Sequence, residues 1–166
     1  DLIINTGKDF KLSHCGFHTM DIMRMESGFL HWGHDISPEE NQYQVGLNFA
    51  ISLKKPFDFI GKEKLKKIKD QKLEKRFVML VLKNSKPGFP LLLHEEPIYL
   101  NNRIIGKTTS GNYSFNYNRN LSFGYINSHL SNKELNELEL FIEIEKKKYP
   151  AVILLKPLKQ SNFKEI

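Results

Sequence analysis

The spacing of apolar residues changes character near the middle of the chain. Between Gly16 and Gly28, the residues Phe17, Met20, Ile22, Met23 and Met25 alternate with Asp21, Arg24 and Glu26 at a helical period, and Gly28 supplies a C-terminal stop. Ser37-Pro38-Glu39-Glu40 combines an N-cap, a first-turn proline and the acid of a capping box, which predicts a short helix ending near Gln44. Residues 47–53 alternate loosely and predict a strand. Residues 60–75 predict a surface helix. There Leu65, Ile68 and Leu73 form a narrow apolar stripe, and Lys62, Lys64, Lys66, Lys67 and Lys69 form a solvated face. Residues 1–13 show no clear period.

From Arg76 onward the period becomes two. Residues 77–82 (Phe-Val-Met-Leu-Val-Leu) predict a strong strand. Pro97–Leu100 and 103–109 flank Asn101-Asn102, a pair that tolerates positive φ and so predicts a tight hairpin. Residues 121–126, 138–145 and 149–155 are further strands, with Lys146-Lys147-Lys148 at the last turn. This gives an α+β chain divided near Glu74–Arg76. Residues 1–75 form one part, and residues 76–166 form a small six-stranded antiparallel β-barrel.

Charge refines this picture only slightly. The chain carries 25 Lys and Arg against 19 Asp and Glu, a net +6, nearly all of it contributed by residues after 75. Only Arg24, Arg76, Arg103 and Arg119 are arginines. Readers of nucleic acid lean on arginine forks, so a lysine-dominated surface argues against a nucleic-acid partner. No apolar run is long enough to span a membrane, so none is expected as a partner. The single cysteine, Cys15, precludes an internal disulfide and fits a reducing compartment.

Several short motifs weaken on inspection. Gly106-Lys107-Thr108 resembles the end of a phosphate loop, but Asn101 stands where the first glycine is needed, and turn formers follow instead of a helix. His14 and His18 lack the glutamate of a zincin, and His31 and His34 lack a third ligand, so no metal site is expected. Cys15 has no activating neighbours in sequence. The stretch from Arg24 to Asp35 is richer. It gathers an arginine, a glutamate, a tryptophan, two histidines and an aspartate around two glycines, a composition suited to a planar ligand with a carboxylate. An ordinary ion pair and a core tryptophan would use the same residues.

Read together, the motifs resemble a known family. Met20-Asp21-Ile22-Met23-Arg24-Met25-Glu26-Ser27-Gly28, followed by His31-Trp32-Gly33-His34-Asp35-Ile36, resembles the glycine-cleavage aminomethyltransferase (T-protein) family. The His-Trp-Gly-His-Asp wording is most similar to the folate-binding ends of dimethylglycine and sarcosine dehydrogenases. The likeness continues through Pro38-Glu39-Glu40-Asn41, Gly46-Leu47 and Asp58-Phe59-Ile60-Gly61-Lys62-Glu63. It resumes at Ile105-Gly106-Lys107-Thr108-Thr109-Ser110-Gly111-Asn112-Tyr113-Ser114 and Gly124-Tyr125-Ile126.

The resemblance implies that residues 1–75 are the C-terminal portion of a folate-binding α+β domain and residues 76–166 the family's β-barrel. It implies tetrahydrofolate as cofactor, an N-methyl amine such as dimethylglycine or sarcosine as substrate, and FAD only in a domain absent from this chain. The expected product is 5,10-methylenetetrahydrofolate. Arg24 matches the family's folate-contacting arginine. Glu26, Trp32 and Asp35 match motif positions that shape the site, and Phe163 stands where the family often has a folate-touching tyrosine. The family's catalytic aspartate and pterin-gripping glutamate have no match in residues 1–15, so no catalytic residue is expected here. A missing N-terminal region, in cis or on a partner subunit, is expected to complete the site. The alternative is a non-catalytic folate-binding or assembly subunit. The expected location is cytoplasmic, or the mitochondrial matrix in a eukaryote.

Overall fold

The structure, a computed structural model, describes residues 1–127 and 139–154. Helix α1 (Leu2–Gly7) and a 3-10 turn (Lys8–Phe10) precede α2 (Phe17–Glu26). A long irregular segment follows, with a 3-10 turn at Asn48–Ala50 and helix α3 at Lys62–Lys69. The strands are β1 (Arg76–Leu82), β2 (Pro97–Leu100), β3 (Arg103–Ser114), β4 (Arg119–Ile126), β5 (Leu140–Ile144) and β6 (Lys147–Leu154). They close into an antiparallel barrel in the order β1-β4-β3-β2-β5-β6.

Strand β1 shows why the barrel sits where it does. Its alternate residues Val78, Leu80 and Leu82 point into the barrel, where they pack with Ile98, Ile126, Leu140, Ile142 and Ile153. The intervening Met79 and Val81 face outward and pack with Ile22 and Met25 of α2, together with Leu121 and Phe123. A strand buried on both faces needs a continuous apolar run, which is what the sequence of β1 provides. Helix α2 is thereby fixed against the outside of the barrel, and it ends at Glu26, two residues before Gly28. There a φ of 75° turns the chain, and the Phe29 N–H donates back to the Arg24 carbonyl at 2.8 Å.

Two hairpins are closed by pairs of left-handed residues: Asn101 and Asn102 (φ 48° and 62°), and Glu145 and Lys146 (φ 50° and 64°). Gly106 is required for a different reason. A Cβ there would lie 1.8 Å from the Tyr125 carbonyl oxygen, so only glycine allows β3 to approach β4 this closely. The Gly-Lys-Thr run is thus a strand-packing motif.

Three elements depart from expectation. Residues 38–44 form turns rather than a helix. The capping-box contact is made, with Glu40 Oε2 accepting from the Ser37 N–H at 2.8 Å and the Ser37 hydroxyl at 2.6 Å. Asn41 then restarts the chain, its Oδ1 accepting from the N–H groups of Tyr43 and Gln44 at 3.0 and 3.1 Å. Side-chain bonds of this kind compete with helix propagation. Residues 47–53 are not a strand, because a closed barrel leaves no free edge for them to pair with. Helix α3 ends at Lys69 rather than near Lys75. Leu73 falls about 140° around the helix from Ile68, so continuing the helix would split the apolar stripe. Leu138 and Leu155, expected at strand ends, lie outside the described residues.

Candidate functional site

The C-terminal half of α2, the turn at residues 31–36 and strand β3 meet at a single polar cluster. At its centre is Asp35, which is fully buried. Its Oδ1 accepts from the Thr109 hydroxyl at 2.5 Å and the Ser110 hydroxyl at 2.8 Å. Its Oδ2 pairs with Arg24 Nη1 and accepts the His31 N–H at 2.9 Å. Its backbone carbonyl accepts the Tyr125 hydroxyl at 2.7 Å. Burial, with the charges of Glu40 and Asp35 adding to it, pushes the Tyr125 phenol well above its ordinary range, so it remains a donor.

Arg24 is tied down from several sides. Nε and Nη2 donate to Asp21 Oδ1 at 3.0 and 2.8 Å, and Nη2 also donates to Ser110 Oγ at 2.6 Å. Nη1 reaches the Phe29 carbonyl at 3.3 Å as well as Asp35. Its guanidinium carbon stands 5.3 Å from the centroid of the Phe123 ring. Ser110 accepts from Arg24 and donates to Asp35, so it relays charge between the two.

A cavity of about 260 Å³ opens beside this cluster, lined by Arg24, Asp21, Phe17 and the imidazoles of His18, His31 and His94. His34 also lines it and stacks on His31 with ring centroids 4.6 Å apart. A second, more polar cavity of about 570 Å³ shares His34 and Thr109 with the first and extends to Lys75, Glu40 and Lys107. There Glu40 accepts from Lys75 Nζ at 2.5 Å. Burial opposes ionisation of Glu40, but hydrogen bonds from Lys75 and Ser37 outweigh it and hold the carboxyl below its usual range.

The expected site residues fall in different places. Arg24 is at the cavity. Glu26 is buried behind it, with Oε1 accepting from the Ser114 hydroxyl and Oε2 from Asn116 Nδ2 at 2.7 Å. Both its oxygens therefore tie α2 to the β3–β4 turn. Trp32 is 65% exposed, and its backbone bridges to Ile36. Phe163 and the Pro157-led stretch lie outside the described residues. Asp21 and Ser110 as partners of Arg24, Thr109 as a partner of Asp35, and His18 and His94 as cavity walls do not follow from the sequence pattern. Only the Thr-Thr-Ser run in the middle of β3 hinted at buried hydroxyl chemistry. Among the described residues, no group of three or more His, Cys, Asp or Glu is placed to hold a metal ion, and no helix is long and apolar enough to cross a membrane.

A closed six-stranded barrel with a helix riveted to it by a buried Arg–Asp pair is a specific architecture, and comparison with known proteins places it. The family model for the glycine cleavage T-protein C-terminal barrel domain matches residues 75–159, and that for the GCVT N-terminal domain matches residues 1–55. The chain is 35% identical to the mitochondrial dimethylglycine dehydrogenase of Homo sapiens, over 95% of this chain and 18% of that protein. It is 30% identical to the aminomethyltransferase of Synechococcus elongatus, over 86% of this chain and 37% of that protein. The crystal structure of glycine cleavage system aminomethyltransferase T from Bartonella henselae shares the fold, with a TM-score of 0.78 at 20% identity, over 94% of this chain and 42% of that one. The chain belongs to the glycine cleavage T-protein family. It spans under a fifth of the human relative and little more than a third of the cyanobacterial one.

Proposed function

We propose that this chain is the C-terminal folate-binding portion of a tetrahydrofolate-dependent enzyme of the dimethylglycine or sarcosine dehydrogenase type, and that it helps form 5,10-methylenetetrahydrofolate from an N-methyl amine. The observation that carries this reading is the position of Arg24. It belongs to a family motif, lines a cavity with an aromatic and several imidazoles, and is held in one orientation by a buried aspartate. The residues fit part of such a ligand. A cavity of about 260 Å³ is smaller than the ~300–1,000 Å³ usual for a whole drug-sized molecule, so a second wall must come from elsewhere. Arg24 would hold a carboxylate, and Trp32 and Phe163 would offer aromatic faces. Glu26 would keep α2 and its arginine in register. Tetrahydrofolate supplies the nitrogen that captures the one-carbon unit. This chain's part is to orient that ligand and exclude water around it. The flavin of a dehydrogenase would sit in a region outside this chain.

The test is titration of the full-length protein containing this chain with tetrahydrofolate. Saturable binding that Arg24→Ala weakens at least tenfold is expected. Absence of binding, or binding indifferent to Arg24→Ala, would overturn the assignment.

A second reading, a folate-binding or assembly subunit completed by a partner chain, is favoured by one observation. Leu2, Ile3, Phe10, Phe17, Met20 and Met23 are all exposed on α1, the turn after it and the outer side of α2. A helix apolar on both faces calls for a cover. If the cover is a separate chain, the two should copurify and separate only in denaturant. A single continuous polypeptide carrying both halves would remove this reading.

A further inference from the structure

The hydrogen bonds of Arg24 create a problem for any ligand that is to use it. Its guanidinium has five N–H groups, and every one has an acceptor: Asp21 twice, Ser110, Asp35 and the Phe29 carbonyl. A carboxylate entering the cavity finds no free donor. The cluster also carries one positive and two negative formal charges, so a third carboxylate added to it would be repelled.

The partners are not equally replaceable. Asp35 has no solvent exposure and is held by Thr109, Ser110 and the His31 N–H as well as by Arg24. Ser110 is held by Asp35. Asp21 is different. Its side chain is 19% exposed, it lines the cavity, and among the described residues its carboxylate makes no hydrogen bond except to Arg24. It spans Nε and Nη2 with one oxygen, Oδ1. That edge of the guanidinium is the one a free carboxylate meets with two parallel bonds, one to each oxygen, which is the stronger arrangement.

We infer that Asp21 is a specificity-determining residue, an internal carboxylate that occupies the ligand edge of Arg24 in the empty site and gives it up when a ligand carboxylate binds. Asp35 and Ser110 hold the other edge throughout and keep the guanidinium aimed. Asp21 thus sets a threshold. A neutral ligand cannot displace it, whereas a carboxylate able to bring two oxygens can. The inference rests on the folate reading above, in which the carboxylate is that of the glutamate tail.

The test measures affinity of the full-length protein for tetrahydrofolate and for its diamide, whose two carboxylates are uncharged, in the Asp21→Asn and Asp21→Ser variants, with thermal unfolding as a check on folding. Removing the competing charge should tighten tetrahydrofolate binding about tenfold and leave the diamide unchanged. Weaker or unaltered tetrahydrofolate binding in a folded variant would overturn the inference, as would an equal gain for the diamide. Arg24→Ala separates the two proposals. If it abolishes binding while Asp21→Asn gives no gain, only the internal-carboxylate inference fails. If it has no effect, the folate reading fails with it.

Discussion

Thr109 and Ser110 are consecutive residues of β3, yet their hydroxyls donate to the same oxygen of Asp35. A regular strand would send them to opposite faces. The β3–β4 pairing shifts register between them, with Thr108 opposite Gly124 and Ser110 opposite Phe123, so Thr109 is the extra residue of a bulge. The irregularity re-aims a side chain, and the candidate site is built on it. The rest of β3 pairs normally and supplies the rigid platform.

Asp35 is therefore expected to matter for stability as well as for binding. Asp35→Ala leaves the half-buried Arg24 with Asp21 as its remaining carboxylate partner and takes the acceptor from the hydroxyls of Thr109 and Ser110. It should cost about 3–5 kcal/mol in urea unfolding. Asp35→Asn keeps the shape and should cost less. If both variants unfold at the wild-type midpoint, Asp35 does not pin α2 to β3.

Glu26 separates a structural role from a ligand role. Its oxygens are occupied by Ser114 and Asn116, far enough round α2 to face the barrel rather than the cavity. Glu26→Ala should lower stability by about 2–3 kcal/mol, since it leaves buried polar groups unpaired. The tetrahydrofolate affinity of the fraction that remains folded should change less than it does for Arg24→Ala. A large loss of affinity with unchanged stability would move Glu26 into direct ligand contact.

These two carboxylates show how far the sequence could be read. The barrel strands follow from period-two runs and from Asn101-Asn102, because local pattern and turn chemistry determine them. Arg24, Glu26 and Asp35 stand out for another reason, the resemblance of their motif to that of the T-protein family. Their partners do not. Asp35 meets Ser110 and Tyr125, and Glu26 meets Ser114, across separations of 75, 90 and 88 residues, and the bulge that allows the first contact has no sequence signature of its own. The segment from 38 to 53 misleads in the opposite direction. Its capping box is real and its bonds form, but Asn41 and the closed barrel deny it the helix and the strand its pattern suggests.

Glu40 gives the acid limb of stability a specific source. Its carboxyl is held below the ordinary value of 4.5, since hydrogen bonds from Lys75 and Ser37 overcome the opposing effect of burial. A depressed native pKa means the unfolded chain binds more protons in acid. The stabilisation is then complete above the ordinary value and is lost as pH falls through the lower native one. Glu40→Gln should cost about 1–2 kcal/mol near neutrality, and the difference from wild type should shrink steadily below pH ~4.5. Urea unfolding near pH 7 and near pH 3 checks this. A difference that is the same at both would assign the effect to packing rather than charge.

The last hairpin carries a strain that the other avoids. Both have two consecutive turn residues at positive φ, but Asn101-Asn102 is suited to it and Glu145-Lys146 is not. Neither Glu145 nor Lys146 can relieve the clash of its Cβ in the left-handed region, and each pays part of the ~1–3 kcal/mol such residues typically cost. Replacing them with the preferred pair, Glu145→Asn together with Lys146→Gly, should raise stability by about 1 kcal/mol without altering the β5–β6 register, in which Ile144 faces Lys147. Chemical denaturation measures the gain, and amide exchange along Leu140–Ile144 reports the register. A loss of stability would mean that the native pair contributes charge interactions at this end of the barrel that exceed its backbone strain.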